Sequence, residues 1–151
     1  MAFRGTKNVQ NWINNIRINR KCYKHCTGCK VHKGFYVGLQ SVLNQSIECI
    51  TNLTQKYPTA NVYIIGHSYG GALATLFAFE LAFLNLVNNR GMIYHYTYGS
   101  PRVGNDIFNK ISITLQKIAI ELQIRMILYL MFLLLLQVCI DMQEQRLGFK
   151  R

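Results

Sequence analysis

The fold of this chain is decided by residues 62–74, which read Val62-Tyr63-Ile64-Ile65-Gly66-His67-Ser68-Tyr69-Gly70-Gly71-Ala72-Leu73-Ala74. They predict an apolar strand, a sharp turn of the form Gly-x-Ser-x-Gly, and a helix that begins with small residues. Such a turn holds its serine as a nucleophile at the carboxyl edge of a parallel sheet. We therefore expect Ser68 to have a strained backbone and an exposed hydroxyl, with Gly66 and Gly70 avoiding a collision of Cβ atoms.

The residues around this turn support the interpretation. The run Val62–Ile65 is typical of a strand that is covered on both faces. After the turn, apolar residues continue at helical spacing as far as Leu84. The N-terminus of this helix would point at Ser68, where its N–H groups and dipole favour negative charge. The alternative is a Gly-rich strand-to-helix turn without chemistry.

Strand and helix patterns alternate along the rest of the chain. The predicted elements are a strand end at 3–6, a short strand at 30–35, a helix from 39 to before Pro58, a strand at 92–98 and a loop at 99–105. Because strands that alternate with helices need crossover connections, the fold class is α/β, a parallel sheet with flanking helices.

The C-terminal part has a different character from about Ile111. No glycine or proline lies between Asn105 and Leu147, and residues 126–136 are continuously apolar. We expect an extra hydrophobic helix at 126–140. Residues 126–140 are fewer than the roughly 20 that a bilayer span needs. The arginines on either side of them are nevertheless typical of a membrane anchor.

Composition limits the class of protein. The 151 residues allow about one domain with a core, and half of them are hydrophobic. Lysine and arginine number 17 against 6 acidic residues, a formal charge of +11 that suits nucleic acid or an anionic membrane surface. The basic residues are scattered, however, and we interpret the densest cluster, 17–33, as a solvated loop. We expect no nucleic-acid partner.

Cysteines are concentrated near the N-terminus. We expect disulfides among four of the five cysteines, and the sequence does not determine which of them are paired. The four are Cys22, Cys26, Cys29 and Cys49. The alternative is a zinc site built from the run Cys22-x3-Cys26-x2-Cys29-x2-His32, which encloses His25.

Five motifs occur along the chain in one order. They are Phe3-Arg4-Gly5-Thr6, Asn11-Trp12-Ile13, Val31-His32-x-Gly34-Phe35, the stretch from Gly66 to Ala74, and Tyr96-x-Tyr98 with Gly99-Ser100-Pro101-Arg102-Val103-Gly104-Asn105. Together they resemble the class 3, or fungal-type, lipases of the α/β-hydrolase superfamily. The resemblance covers residues 3–109, which would form a partial lipase domain with its nucleophile elbow at 66–70. It leaves 110–151 as a non-family tail, expected to be helical.

The resemblance implies a triacylglycerol-lipase type of ester hydrolysis without a cofactor or metal. Ser68 would attack the ester carbonyl and form an acyl-enzyme. The backbone N–H of Tyr69, together with Thr6, would form the oxyanion hole. The family usually has leucine where this chain has Tyr69, a departure of little expected consequence because the backbone N–H is the group used. Thr6 has an alternative interpretation as an ordinary strand-terminal residue.

Residues 7–18 correspond to the lid of the family. Trp12, Ile13 and Ile16 would lie on one apolar helical face, which covers the serine when closed and faces lipid when open. The alternative is a plain amphipathic surface helix. The expected partner is therefore a lipid or ester substrate at an oil or membrane interface.

The resemblance also exposes a gap in the catalytic triad. Chain order in this fold is serine, aspartate, histidine, yet no histidine follows His95. The alternative function is therefore a catalytically inactive lipase fragment, held at a membrane by residues 126–140. Two sequons, at Asn44 and Asn52, favour a secreted or endomembrane location for a full-length relative. The chain starts on a predicted strand end without a signal peptide, so we expect further sequence before it.

The missing aspartate generates a prediction about the gene. We hypothesise that the tail from about Ile111 is a frameshifted or mis-spliced translation. Read one base out of step, Met126 and the following isoleucine must give aspartate, and Met131 with phenylalanine must give valine. Permitted codons for the intervening residues complete Asp-Ile-Val-Pro-His-Val-Pro-Pro, which matches the aspartate motif of the family. Sequencing the gene tests this, and codons from 126 to 134 that lack the shifted motif would reject it.

Overall fold

The computed structural model describes residues 1–5, 19–87, 93–115 and 118–119. In chain order the elements are β1 (Ala2–Phe3), β2 (Arg20–Cys22), β3 (Lys30–His32), α1 (Lys33–Gln40), α2 (Leu43–Lys56), β4 (Val62–His67), α3 (Tyr69–Phe83), β5 (Ile93–Tyr98), α4 (Asp106–Leu115) and β6 (Ile118–Ala119).

The main sheet is parallel, and its strand order is β1-β4-β5-β6. Strands β4 and β5 pair along their full length, from Val62 opposite Ile93 to His67 opposite Tyr98. Strands β2 and β3 form a separate antiparallel hairpin. The predicted fold class, α/β with a parallel sheet and flanking helices, is confirmed. All four strands of the main sheet therefore end towards the edge where Ser68 follows β4.

Helix α3 covers one face of this sheet. Val62 and Ile64 are buried beneath it, whereas Tyr63 and Ile65 are 46% and 40% exposed on the opposite face. The prediction that β4 is covered on both faces is therefore wrong for the described residues, since an alternating pattern marks a strand with one solvated face. On that face the ring of Tyr63 stacks on Tyr94, with centroids 4.9 Å apart.

Two predicted elements have different bounds. The strand predicted at 30–35 ends at His32, because the His32 side chain accepts a hydrogen bond from the Gly34 N–H and so caps α1. Phe35 consequently lies in a helix, where it is buried. The single helix predicted from 39 is two helices, which meet at a turn at Ser41 and Val42.

Structure continues beyond the predicted domain end at residue 109. That position falls inside α4, and β6 then pairs with β5. Within the described segments, every helix is too short or too polar to cross a bilayer. The hydrophobic helix predicted at 126–140 lies outside the described residues, as does the rest of the tail.

The β2–β3 hairpin carries one disulfide, between Cys26 and Cys29. Cys22 and Cys49 are free, exposed thiols. Of the four cysteines that were predicted to form disulfides, only Cys26 and Cys29 are therefore paired. The alternative zinc site is wrong as well, because that disulfide occupies two of its thiols. The described chain contains no cluster of metal-ligating side chains.

A buried carboxylate attaches this hairpin to the core. Glu80 of α3 is completely buried, and it accepts a hydrogen bond of 2.8 Å from the Tyr23 hydroxyl and lies 2.7 Å from His25 Nε2. Burial, followed by the charge of Glu80, raises the pKa of Tyr23, which therefore remains a donor at all ordinary pH values. A buried carboxylate is tolerated only when it is hydrogen-bonded, so Tyr23 is expected to stabilise the fold.

Replacing Tyr23 tests this attachment. Tyr23→Phe keeps the ring but leaves one Glu80 oxygen without its donor, and we expect the free energy of unfolding at pH 7 to fall by about 2 kcal/mol. Urea denaturation followed by circular dichroism measures it. Tyr36→Phe is the matched control, because the Tyr36 ring contacts Tyr23 while its hydroxyl makes no hydrogen bond within the described structure. Equal effects of the two variants would contradict the prediction.

Candidate active site

Ser68 lies at the turn between β4 and α3 with a backbone that few residues adopt. Its φ is 53° and its ψ is −124°. Within the described segments, only one other non-glycine residue, Asn85, has a positive φ. This conformation costs roughly 1–3 kcal/mol and persists only where its surroundings impose it. The strained turn predicted from the sequence is therefore present.

Two glycines make this turn sterically feasible. A Cβ atom on Gly66 would come closer than 3.0 Å to the carbonyl oxygen of Gly70, and one on Gly70 would come closer than that to the carbonyl oxygen of Phe3. Both neighbours are backbone atoms of paired strands or of the helix start, which cannot move aside. The elbow thus requires glycine on both sides of the serine, as the sequence predicted.

Chain segments from three strands surround the serine. The Ser68 N–H donates to the Tyr98 carbonyl at 2.9 Å, the end of β1 passes against Gly70, and a Cβ on Gly71 would lie 2.9 Å from the Cβ of Ser100. Ser68 is only 4% exposed as a result. The expectation of an exposed serine is therefore wrong for the residue as a whole, because the crowding that fixes the elbow also buries it.

The helix that follows provides a positive electrostatic environment. The Ser68 carbonyl accepts hydrogen bonds from the N–H groups of Gly71 at 2.9 Å and Ala72 at 3.2 Å, so the serine caps the start of α3. Tyr69 is the first residue of that helix, whose N-terminal N–H groups point towards the elbow. The helix dipole favours negative charge at this position.

The side chain of Tyr69 packs away from the nucleophile, against α1. Its ring centroid lies 5.8 Å from that of Phe35, and its hydroxyl occupies the space that a Cβ on Gly38 would fill. Burial raises the pKa of Tyr69. The Tyr69 side chain therefore packs against α1, and the group that this residue contributes at the elbow is its backbone N–H.

All four histidines of the chain lie in described segments. Three are engaged elsewhere: His25 by Glu80, His32 by the Gly34 N–H, and His95 by Thr75 at 3.3 Å. The fourth, His67, precedes the serine and is exposed, and its ring lies beside Gly5 and Gly99. That no base completes the triad at the elbow stays a prediction.

The remaining predicted site residues lie outside the described residues. They are Thr6 of the oxyanion hole and Trp12, Ile13 and Ile16 of the lid. The described chain reaches Gly5, where a Cβ atom would lie 2.7 Å from the carbonyl oxygen of His67. The segment that leads to Thr6 therefore passes directly beside the elbow.

The structure also shows a feature that sequence reasoning missed. A pocket of about 190 Å³ lies between the hairpin and the loop after β5, and its lining includes Arg20, His32 and Arg102. The sequence patterns assign Arg20 to a solvated loop, place His32 in a predicted strand and in the alternative zinc site, and give Arg102 no role within its motif. The positive charge of both segments is the signal that could have indicated this pocket. The sequence could not show that the hairpin and the loop lie side by side, because their pairing is a long-range contact.

Comparison with known proteins identifies the relatives of this chain. The family described as Lipase (class 3) matches residues 1–123. A lipase of Rhizomucor miehei is 34% identical over 108 residues, and a secreted mono- and diacylglycerol lipase of Fusarium solani is 38% identical over 109 residues. These matches cover 72% of this chain but only 30% and 31% of the relatives. The chain thus spans about a third of the curated relatives that it matches.

Solved structures give the same result in three dimensions. The triacylglyceride lipase of Rhizomucor miehei superposes with a TM-score of 0.70 and 31% identity, over 76% of this chain and 43% of that one. Lipase II of Rhizopus niveus gives a TM-score of 0.69 and 31% identity, over 78% and 44%.

The glycine requirement at the elbow generates a prediction. Gly70→Ala places a Cβ against the backbone of β1, and we expect the free energy of unfolding to fall by about 3 kcal/mol. Gly34→Ala is the matched control: its Cβ would meet only the ring of His32, at 3.1 Å, on an exposed helix. We expect it to change stability by less than about 1 kcal/mol. Urea denaturation measures both, and a Gly70→Ala variant as stable as Gly34→Ala would contradict the steric account.

Proposed function

This chain belongs to the class 3 lipase family, and from that premise we propose that it attacks acylglycerol esters through an acyl-enzyme formed at Ser68. The observation that carries the proposal is the backbone of Ser68, which a strained elbow holds at the carboxyl edge of a parallel sheet. The matched relatives are described as lipases that act on triacylglycerides or on mono- and diacylglycerols. We infer the same class of substrate, met at an oil or membrane interface.

The proposed chemistry begins with attack of Ser68 Oγ on the ester carbonyl carbon. The carbonyl oxygen gains negative charge, and the backbone N–H of Tyr69 donates to it, with Thr6 as the second donor. Each such donor contributes about 3 kcal/mol to transition-state stabilisation. The alcohol then leaves with a proton, and the acyl group remains on Ser68 until water releases it as a fatty acid.

Proton transfer is the step that this chain supports least. Attack requires removal of the Ser68 proton, and hydrolysis of the acyl-enzyme requires activation of water. Three of the four histidines bond to other groups, and no histidine follows His95 in the sequence. Loss of a triad base typically lowers turnover by several orders of magnitude. We therefore propose that this chain by itself is acylated by activated esters but turns them over very slowly.

The lid predicted at 7–18 and the split into a lipase domain at 3–109 and a tail at 110–151 stay predictions. The alternative of an inactive fragment bound to membrane depends on 126–140, outside the described residues. Flotation of the chain with neutral phosphatidylcholine vesicles, compared with a variant truncated after residue 125, would distinguish that alternative. Equal flotation of the two would exclude it.

Acylation of Ser68 tests the proposed function directly. Incubation of the full chain with p-nitrophenyl butyrate should leave a butyryl group on Ser68, detected by peptide mass spectrometry, with little continued release of nitrophenol. The acyl group should accumulate because nitrophenolate leaves without needing a proton, whereas hydrolysis of the acyl-serine needs both activated water and a proton for the departing Ser68 oxygen. Ser68→Ala should abolish the adduct.

Ser41→Ala is the matched control, because Ser41 is an exposed serine whose hydroxyl bonds to the Gly38 carbonyl. It should be acylated like the parent chain. An adduct that is absent, or that survives in Ser68→Ala, would refute the proposal. Rapid Ser68-dependent turnover would instead reveal a base in this chain, and replacing His67 would then identify whether it is that residue.

A further inference from the structure

The pocket between the hairpin and the loop after β5 combines three basic side chains with an apolar lining. Its volume is about 190 Å³. The basic groups belong to Arg20, His32 and Arg102, and the apolar lining is supplied by Phe35, Pro101 and Val103. Among the described residues, no acidic side chain lines it. The pocket thus gathers two like charges, those of Arg20 and Arg102, around a partly apolar space.

Backbone pairing brings these distant residues together. Arg20 is directly opposite His32 in the β2–β3 hairpin, so both side chains lie on one face. The His32 N–H donates to the Val103 carbonyl at 2.9 Å, and Val31 forms an antiparallel bridge with Gly104. The loop after β5 thus extends the hairpin as a third strand-like segment. The position of the basic groups is consequently fixed by main-chain hydrogen bonds.

The charges in this pocket are poorly compensated. Arg20 has no ionic or hydrogen-bonding side-chain partner in the described part of the chain. Arg102 donates to the Gly104 carbonyl and pairs with Asp106, but the Asp106 side chain is 83% exposed and does not line the pocket. Solvent screens such an exposed pair strongly. Guanidinium groups bind carboxylate and phosphate oxygens through paired N–H donors, so an anion of either kind matches the chemistry of Arg20 and Arg102.

The pocket adjoins the nucleophile elbow. Phe35, on its floor, contacts the ring of Tyr69, the residue after Ser68. Pro101, on its wall, follows Ser100, which packs against Gly71 of the same elbow. A ligand with its charged head on the arginines would place its apolar chain against Phe35 and Pro101, the lining residues that adjoin the elbow.

We propose that this pocket binds the anionic head of an acyl amphiphile, a carboxylate or a phosphate, and holds its acyl chain beside the elbow. The bound species is then either a fatty acid, the product of ester hydrolysis, or a phospholipid. The relevance of the site to catalysis rests on the proposed function, whereas binding itself does not require Ser68.

Isothermal titration calorimetry on the full chain tests the site. The probes are decanoate, decyl phosphate and neutral decanol, each below its aggregation concentration. At least one anionic probe should bind roughly tenfold more tightly than decanol, and added salt should weaken it. Arg20→Gln should weaken that probe about five- to tenfold, whereas Arg20→Lys should weaken it less because the charge remains.

Lys24→Gln is the matched control, since it removes one positive charge from the same hairpin outside the pocket. It should leave the affinity unchanged. Preference for decanoate identifies a fatty-acid site, and preference for decyl phosphate identifies a phospholipid site. Equal affinity for all three probes, or equal effects of Arg20→Gln and Lys24→Gln, would overturn the proposal. Binding should persist in Ser68→Ala, so failure of Ser68 acylation would not be mistaken for failure of this site.

Discussion

The structure depends on the close approach of backbone at Ser68. With a φ of 53°, this residue occupies a conformation that is unfavourable for any side chain with a Cβ. It is held there because β4 continues into α3 without a connecting loop, while the ends of β1 and β5 pass on either side. Gly66 and Gly70 permit that approach, since each is in contact with backbone where a Cβ would be placed. The strain is therefore sustained by the pairing of the whole sheet.

The remaining elements keep this arrangement rigid. Helix α3 is buried along most of its length and carries Glu80, through which it binds the hairpin that contains Tyr23 and His25. The hairpin is attached in turn to the loop after β5, because the Asn105 amide donates to the Gly28 carbonyl at 2.8 Å and its oxygen accepts from the Lys30 N–H at 3.1 Å. The elbow, the hairpin and the loop thus form one connected body. The same connection creates the basic pocket beside the serine.

The sequence was sufficient to predict the local structure around Ser68. The strand, the turn and the helix around Ser68 follow from neighbouring residues, so the elbow and the parallel sheet could be predicted. Features that depend on long-range packing could not be predicted from the sequence. The apolar run Val62–Ile65 gave no sign that one face of β4 is solvated. The sequence also gave no sign that Glu80 is bonded to Tyr23, because the two lie 57 residues apart. The burial of Ser68 belongs to the same class, because it arises from segments of other strands.

Local signals also failed where two patterns competed. Residues 30–35 alternate like a strand, yet the cap formed by His32 begins a helix after three of them. The cysteine spacing was compatible with disulfides and with zinc, and only the structure places Cys26 and Cys29 together in a bond. The prediction that the triad lacks its histidine rests on residue types alone, since no histidine follows His95, and it stays a prediction.

Our central proposal is that the elbow presents Ser68 as a nucleophile. A crystal structure of the full chain after reaction with an alkyl phosphonate ester tests it most directly. The account predicts phosphorus bonded to Ser68 Oγ, a positive φ at Ser68, and a phosphonyl oxygen within about 3 Å of the Tyr69 nitrogen. A phosphonate bound to another residue, or Ser68 with an ordinary negative φ, would contradict it.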